Sequence, residues 1–464
     1  MRNHLMNLIL TALVMAPFSA MSFTEADYLK WFNENQGAQP QFVDGDIITI
    51  DKADLIRPFV PAEFQDEWIF DGMEMKINTA AAADMQPAKV YQDATAKHYG
   101  TATIASDGAI ENYASGRPFD PEKFVPGADS GWKMVWNWNY RWQNDGLSAG
   151  EVDWVWVRRG GSHDDHEIMT IDGGKYAQYY EGGGAFERSL KGPYKRFLMA
   201  HNANYADSDY RVNNGKGFAK NTEFREYTGF VSPFDIAGTA FLILRYDDPR
   251  KADDSWAYIP SLRRVRRISV EVKSDSLLGT DHTLEDFYGF NGRPMEHNWE
   301  YVGSSNLLVV ARSRKREAVY YGPNGWAIKD DYALRLTDVM KQIPKSDAHP
   351  YSYKYIHVDR VTGESYYANA FDKAGELWKV WQLTKVYSED PWVQEGSPYA
   401  RRWSGGDTSF TPAGTQFQLF QSINVIDLQN NRGTLVPCRG TEAEDTSFKV
   451  AKRVLDVNYL TEGR

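Results

Sequence analysis

Apolar and polar positions alternate in short bursts from Glu151 onward, and glycine-rich turns separate the bursts. A two-residue period sends successive side chains to opposite faces, so these bursts predict β-strands rather than helices. The first three run Glu151–Arg158, Glu167–Asp172 and Lys175–Glu181, with turns at Gly160-Gly161, Gly173-Gly174 and Gly182-Gly183-Gly184. Further strands are predicted at Glu223–Val231, Ala240–Tyr246, Trp256–Ile259, Ile268–Val272, Trp299–Val302, Leu307–Arg312 and Val319–Tyr321. Tyr353–Val358, Ser365–Phe371, Leu377–Val386, Phe417–Ile426 and Lys449–Leu460 complete the series. Connections this short predict antiparallel meanders. The expected fold class is mainly β, a large curved antiparallel sheet with a few covering helices.

Helical signals are sparse. Thr24 with Glu25 and Asp27 reads as an N-cap and acidic first turn, opening a helix through Asn35 that stops before Gly37. Lys329–Gln342 is the clearest late helix, ended by Pro344. Met134, Trp136, Trp138, Tyr140 and Trp142 alternate as a strand would, whereas Trp132, Trp136 and Tyr140 keep a helical spacing. Both readings of 132–142 stay open.

The stretch from Trp256 to Arg293 organises the rest. Pro260 ends a strand by removing a backbone donor, and Arg263, Arg264, Arg266 and Arg267 follow at once. Asp275, Asp281, Glu285 and Asp286 come next, so the economical reading is a structural network of Arg–carboxylate forks, with headgroup or partner binding as the functional alternative.

Composition narrows the function classes. A hydrophobic fraction of 42% over 464 residues supplies a sizeable core, and 15 Trp with 27 Tyr make the chain rich in aromatics. A net charge of −11 disfavours broad binding to nucleic acid or to an anionic membrane. Residues 1–22 read as a signal peptide, with Arg2, an apolar Leu5–Val14 and an Ala20-Met21-Ser22 cleavage site before Phe23. The expected product is a soluble periplasmic protein. Cys438 stands alone, so no intramolecular disulfide forms.

Candidate chemistry is thin. His163-Asp164-Asp165-His166 carries metal-ligating side chains, but neighbours in a strand face opposite ways, and a solvated turn is the preferred reading. No nucleophile elbow, zinc-protease motif or paired cysteines occur, so no catalytic residue, metal or cofactor is expected and the chain is not read as an enzyme. Trp136, Trp138, Trp154, Trp156, Tyr258 and Trp378 fall on predicted sheet elements. They build either a bulky packed core or the wall of an apolar ligand cavity.

Several motifs resemble a known family. Tyr258-x-Pro260 with Val265-Arg266-Arg267-Ile268, Leu278-Gly279-Thr280-Asp281 and Glu285-Asp286-Phe287 carry the likeness. Gly116-Arg117-Pro118-Phe119 with Gly131-Trp132-Lys133-x-x-Trp136-Asn137 extends it, as do Gly238-Thr239 with Arg245-Tyr246-x-Asp248-Pro249, and Tyr351 to Trp381. Together they resemble a bacterial periplasmic family of unknown function, related to the LolA/LolB-like outer-membrane lipoprotein carriers. The resemblance implies an open half-barrel whose concave face holds a lipid or other hydrophobic molecule, working with an RND-type exporter and an outer-membrane β-barrel partner. It favours the cavity wall for the aromatics, and it implies that Lys329–Gln342 and the N-terminal helix are candidate lids. The alternative is a non-transporting exported β scaffold that binds an outer-membrane protein through an edge strand. The expected organisation is a signal peptide at 1–22, an N-terminal wrapping segment at 23–130, a half-barrel core at 131–390, and a C-terminal extension at 391–464 adding strands to the same domain.

Overall fold

A computed structural model describes residues 22–143, 146–161, 180–268, 274–315, 317–388, 390, 418–438 and 448–462, with the side chains of 146–151 excepted. The turn His163–His166, the strand expected at 167–172, most of that at 175–181, and residues 1–21 lie outside this set.

Among the described residues, a 15-stranded sheet dominates and does not close into a barrel. Short strands β1 (Ile47–Ile48) and β2 (Met75–Ile77) lie at one end, and β3 (Thr103–Ile104) with β4 (Ile110–Glu111) forms a separate hairpin. An antiparallel meander follows: β5 (Gly146–Arg158), β6 (Ala185–Leu198), β7 (Thr222–Gly229), β8 (Ala240–Tyr246), β9 (Asp254–Ile259) and β10 (Arg264–Ile268). Next come β11 (His297–Val309) and a second small hairpin, β12 (Tyr320–Tyr321) with β13 (Ala327–Ile328). A second meander runs through β14 (Asp331–Pro344), β15 (Tyr353–Asp359), β16 (Ser365–Phe371) and β17 (Leu377–Tyr387), with β11 against β14. β18 (Gln418–Asp427) pairs with β17, and β19 (Arg432–Leu435) pairs with β18 on one side and β5 on the other. These late strands therefore join the two meanders. β2 runs parallel to β14, and the other pairings are antiparallel.

The helices cover the sheet. α1 (Glu25–Asn35) starts at a capping box in which the Thr24 hydroxyl and backbone N–H both donate to Asp27. It buries Tyr28, Trp31 and Phe32, and the Tyr28 hydroxyl lies 3.1 Å from His357 on β15. α2 (Ala62–Trp68) packs on the same face, α3 (Lys89–Lys97) borders it, and α4 (Ala128–Asn139) lies across the other. α5 (Phe448–Val454) and α6 (Tyr459–Glu462) close the described chain. No described helix is long and apolar enough to cross a membrane.

Both sheet faces are buried, and alternation sorts their side chains. Val155, Tyr355, Tyr367, Phe371, Val380, Ile426 and Leu435 face α1 and α2. Trp154, Ile356, Ala368, Trp381, Val425 and Val436 face α4 and the loop after β10.

Three expectations are settled or corrected. Residues 132–142 are helical through Asn139, and Gly131 lets α4 approach β11 so closely that a Cβ there would sit 2.4 Å from the Trp299 carbonyl oxygen. The helix and lid expected at Lys329–Gln342 are instead β14, in the body of the sheet. Tyr332, Leu336, Val339 and Ile343 do keep a helical spacing. Ladders to β11 on one side and β15 on the other nonetheless outweigh local propensity, and β-branched Thr337, Val339 and Ile343 suit them. The strand expected at Lys449–Leu460 is α5 and α6. Ala451, Val454 and Leu455 share one helical face and join the cluster that holds Leu242 and Tyr258.

One buried group makes stability depend on pH. Glu63 on α2 is buried and receives the Asn369 amide, yet burial dominates and raises its carboxyl to about 7. Its charged form is therefore disfavoured in the folded state, and stability falls as pH rises from the ordinary carboxyl value of 4.5 to about 7. Glu63→Gln removes that loss. Urea titrations should find the variant matching wild type near pH 4 and exceeding it above pH 7 by up to about 3 kcal/mol. Equal pH profiles for the two proteins would refute this.

Candidate functional site

The loop between β10 and β11 does not stay at the surface. From Leu277 to Pro294 it crosses the α4 face of the sheet as a plug, and its aromatic residues Phe287, Tyr288 and Phe290 are almost fully buried. Tyr288 adopts a left-handed backbone, φ 63°, as does Leu278 at φ 51°, a conformation that surrounding structure must hold in place for side chains of that size.

Charged groups from many strands hold the plug. Asp281 forms an ion pair at 2.6 Å with Arg432 on β19, accepts the Thr434 hydroxyl at 2.8 Å, and its carbonyl accepts Lys379 at 2.9 Å. Glu285 lies 2.8 Å from His297 and 3.3 Å from His349, beside a cavity of about 370 Å³. Burial works to raise the Glu285 carboxyl, yet the two histidines hold it well below the ordinary carboxylate range. Asp286 takes the Lys354 ammonium at 2.6 Å and the Tyr351 hydroxyl at 2.7 Å. Asn291 accepts from Arg196 at 3.0 Å and gives its carbonyl to Arg245 at 2.8 Å.

The arginine cluster is therefore not the partner of these carboxylates. Arg263, Arg264, Arg266 and Arg267 are exposed on the turn into β10 and on β10 itself, the last strand at one end of the sheet. Arg267 pairs with Asp254 on the neighbouring strand, and Asp275 is exposed. Proximity in sequence misleads here because the chain leaves the edge after β10 and turns back beneath the middle strands. A row of charges on an edge strand discourages pairing with other chains.

The six aromatic candidates are mostly packed. Trp136 donates to the Gly108 carbonyl at 2.8 Å and Trp138 to the Phe290 carbonyl at 3.2 Å, so both buttress the plug side. Trp154 stacks near Phe230, and Trp156 lies between the guanidiniums of Arg188 and Arg432. Tyr258 belongs to the cluster under α5 and α6. Trp378 is half-buried and donates to Asp427 at 3.0 Å. Only Trp138 among the six lines one of the described cavities.

A groove of about 900 Å³ opens where α3, the segment Arg117–Glu122, β14 and the turn after β15 meet. Pro87, Tyr91, Tyr99, Leu334, Leu336 and Val361 supply its apolar wall. Tyr99 and Leu336, both in the groove lining, leave 56% and 38% of their surface open. Gly116 brings the Arg117 segment here. Its φ is 85°, and a Cβ would meet the Thr95 backbone nitrogen at 2.4 Å. The Arg117 N–H then donates to the Thr95 hydroxyl, while Phe119 exchanges two hydrogen bonds of 2.9 Å with the Asn137 side chain on α4. Tyr91, Arg117, Pro121 and Arg360 also line a small inner cavity of about 20 Å³ that reaches Met134 and Trp138.

No described group of three or more His, Cys, Asp or Glu is placed to hold a metal ion. Burial pushes the Cys438 thiol up to about 12, which keeps it protonated at neutral pH.

A family described as "Protein of unknown function (DUF1329)" matches residues 54–457. The chain belongs to this family. No curated protein matches it. Among solved structures, a DUF1329 family protein from Desulfovibrio piger shares 16% identity, with 72% of this chain and 100% of that one covered at a TM-score of 0.42. A proposed outer membrane lipoprotein-sorting protein domain from Vibrio parahaemolyticus shares 15%, covering 72% and 99% at 0.42. A LolA superfamily protein from Nitrosomonas europaea shares 12%, covering 72% and 100% at 0.34.

Two DUF1329 features escaped the strand pattern. The plug looked like a loop because its burial depends on cations that lie far away in sequence, Lys354, Lys379 and Arg432. The groove was signalled only by Gly116-Arg117-Pro118-Phe119 and Asn137, which the family resemblance had marked without giving them a role.

Proposed function

We propose that this DUF1329 protein is a periplasmic carrier or binding protein for a hydrophobic molecule, and that the groove beside α3 is its binding site. The supporting observation is the groove itself. Its volume of about 900 Å³ falls within the ~300–1,000 Å³ typical of small-ligand pockets, and Tyr99 and Leu336 of its apolar wall stay open to solvent. The α4 face of the sheet, by contrast, is packed by the plug, and the inner cavity at the end of the groove reaches Trp138. The putting-in and taking-out of cargo would fall to membrane partners, for which the resemblance supplies an RND-type exporter and an outer-membrane β-barrel. The rival scaffold reading needs an edge open to strand addition, and β10 with Arg264, Arg266 and Arg267 is poorly suited to it. The reading is one of binding rather than catalysis.

Ala96 is exposed on α3 and lines the groove, so Ala96→Trp fills the site without touching the core. A neutral environment-sensitive dye should bind wild type saturably, and the variant about tenfold or more weakly, at an unchanged melting midpoint. Wild-type protein that takes up no dye would refute the reading.

A further inference from the structure

Many cations in the interior of this protein are paired with carboxylates, although Lys379 and Arg225 are held by backbone carbonyls. Arg245 forks onto Asp253, Lys354 meets Asp286, and Arg141 and Lys385 share Glu364. The groove follows the same pattern at two of its three guanidiniums. Arg335 holds Asp359 through bonds of 2.7 and 3.1 Å, and Arg360 holds Asp338 at 2.6 and 3.1 Å with Glu122 nearby at 3.4 Å.

Arg117 departs from this pattern. It is half-buried, and its guanidinium has only neutral partners, the Val361 carbonyl and the Tyr91 hydroxyl. Among the described residues no carboxylate lies in ion-pair range of it. The carboxylates that share its groove are engaged elsewhere, Glu122 with Arg360 and Asp120 with Lys123, the Tyr99 hydroxyl and the Glu122 backbone. A guanidinium carries five donors in a planar fork, and a carbonyl and a hydroxyl leave its charge without a counter-ion and part of that fork unused.

We infer that the groove takes a single-chain amphiphile with an oxyanion head, and that Arg117 receives the head. This rests on the carrier reading above and adds the ligand's class to it. Arg117 lies where the groove meets the inner cavity, so a head bound there would be partly withdrawn from water, which strengthens a charge-assisted fork. The tail would lie outward along Leu334, Leu336 and Tyr99, covering apolar surface that the fold leaves open. A carboxylate and a phosphate monoester share the head chemistry required.

The test compares ligands of one chain length by displacement of the neutral dye: dodecanoate, dodecyl phosphate, dodecanol and dodecyltrimethylammonium, with inorganic phosphate as the tail-less control. Wild type should prefer dodecanoate or dodecyl phosphate over dodecanol by about tenfold or more, the scale of a charge-assisted hydrogen bond. Arg117→Gln should level that preference while leaving dodecanol affinity in place, and Arg117→Lys should keep part of it. The relative strengths of the carboxylate and the phosphate identify which head is taken. If dodecanol binds wild type as well as dodecanoate, the anionic head is refuted and a neutral carrier remains. Inorganic phosphate competing as strongly as dodecyl phosphate would reduce the site to an anion site and overturn the amphiphile. Failure of every chain to bind would overturn this inference and the carrier reading together.

Discussion

A chain ending at Asp390 is expected to lose cooperative folding altogether. β18 and β19 come after that point, and they are the only described link between the meander ending at β17 and the meander beginning at β5. Their loss strips Leu419, Phe420, Ile423, Val425, Ile426, Leu435 and Val436 from both faces of the core. At roughly 2–5 kcal/mol for each large buried side chain, the deficit exceeds the ~5–15 kcal/mol by which proteins are stable. It also removes Arg432 and Thr434, which hold Asp281 in the plug. Urea denaturation followed by tryptophan fluorescence should give a broad, shallow profile. A single steep transition from the truncated protein would show that the two meanders stand without the joint.

Lys354→Met should be the most damaging single substitution among the groups that hold the plug, at about 3–5 kcal/mol, because it strands a buried carboxylate. Lys354 and Asp286 are almost wholly buried, 2.6 Å apart, with the ammonium 3.8 Å from the centre of the Trp381 ring. Burial alone would raise the Asp286 carboxyl, but Lys354 and Lys379 together hold it below its ordinary range. The double variant Lys354→Met/Asp286→Asn should recover at least half the loss, since removing both charges leaves nothing unpaired. The sign of the pH effect follows. A depressed carboxyl stabilises the fold above its unfolded value of 3.8, so wild type should lose its lead over the double variant only in strong acid. Additive losses in the double variant would mean that the pair does not act as a unit.

These two expectations rest on parts of the molecule that differ in how plainly the sequence announces them. Strands such as Ala240–Tyr246 and Ser365–Phe371 were legible to the residue, because turn residues bound them and β-propensity fills them. β6 was not anticipated. Gly192 interrupts its alternation, and that glycine is needed because a Cβ would lie 1.9 Å from the Gly229 carbonyl of the neighbouring strand. β14 was misread because its apolar spacing fits a helix, and only two flanking ladders decide otherwise. Of the site, the motif around Arg117 was visible but mute. Its meaning lies in the absence of a counter-charge, a property of three dimensions that no one-dimensional pattern records. The arginines of β10 looked more promising in sequence, and solvent on an exposed edge already satisfies them.

The seam between β19 and β5 also constrains the order of assembly. Gly433 sits opposite Val157, so residues from the two ends of the chain must meet before the sheet is whole. A chain emerging N-terminus first can zip β5 through β10 early, but one side of β5 then waits unpaired until almost everything else has arrived. Contacts so distant in sequence close slowly, and a waiting strand edge is a template for aggregation. Refolding yield should therefore fall with protein concentration, and the vulnerable species would be a half-sheet, complete in itself, that has not yet found its last partner.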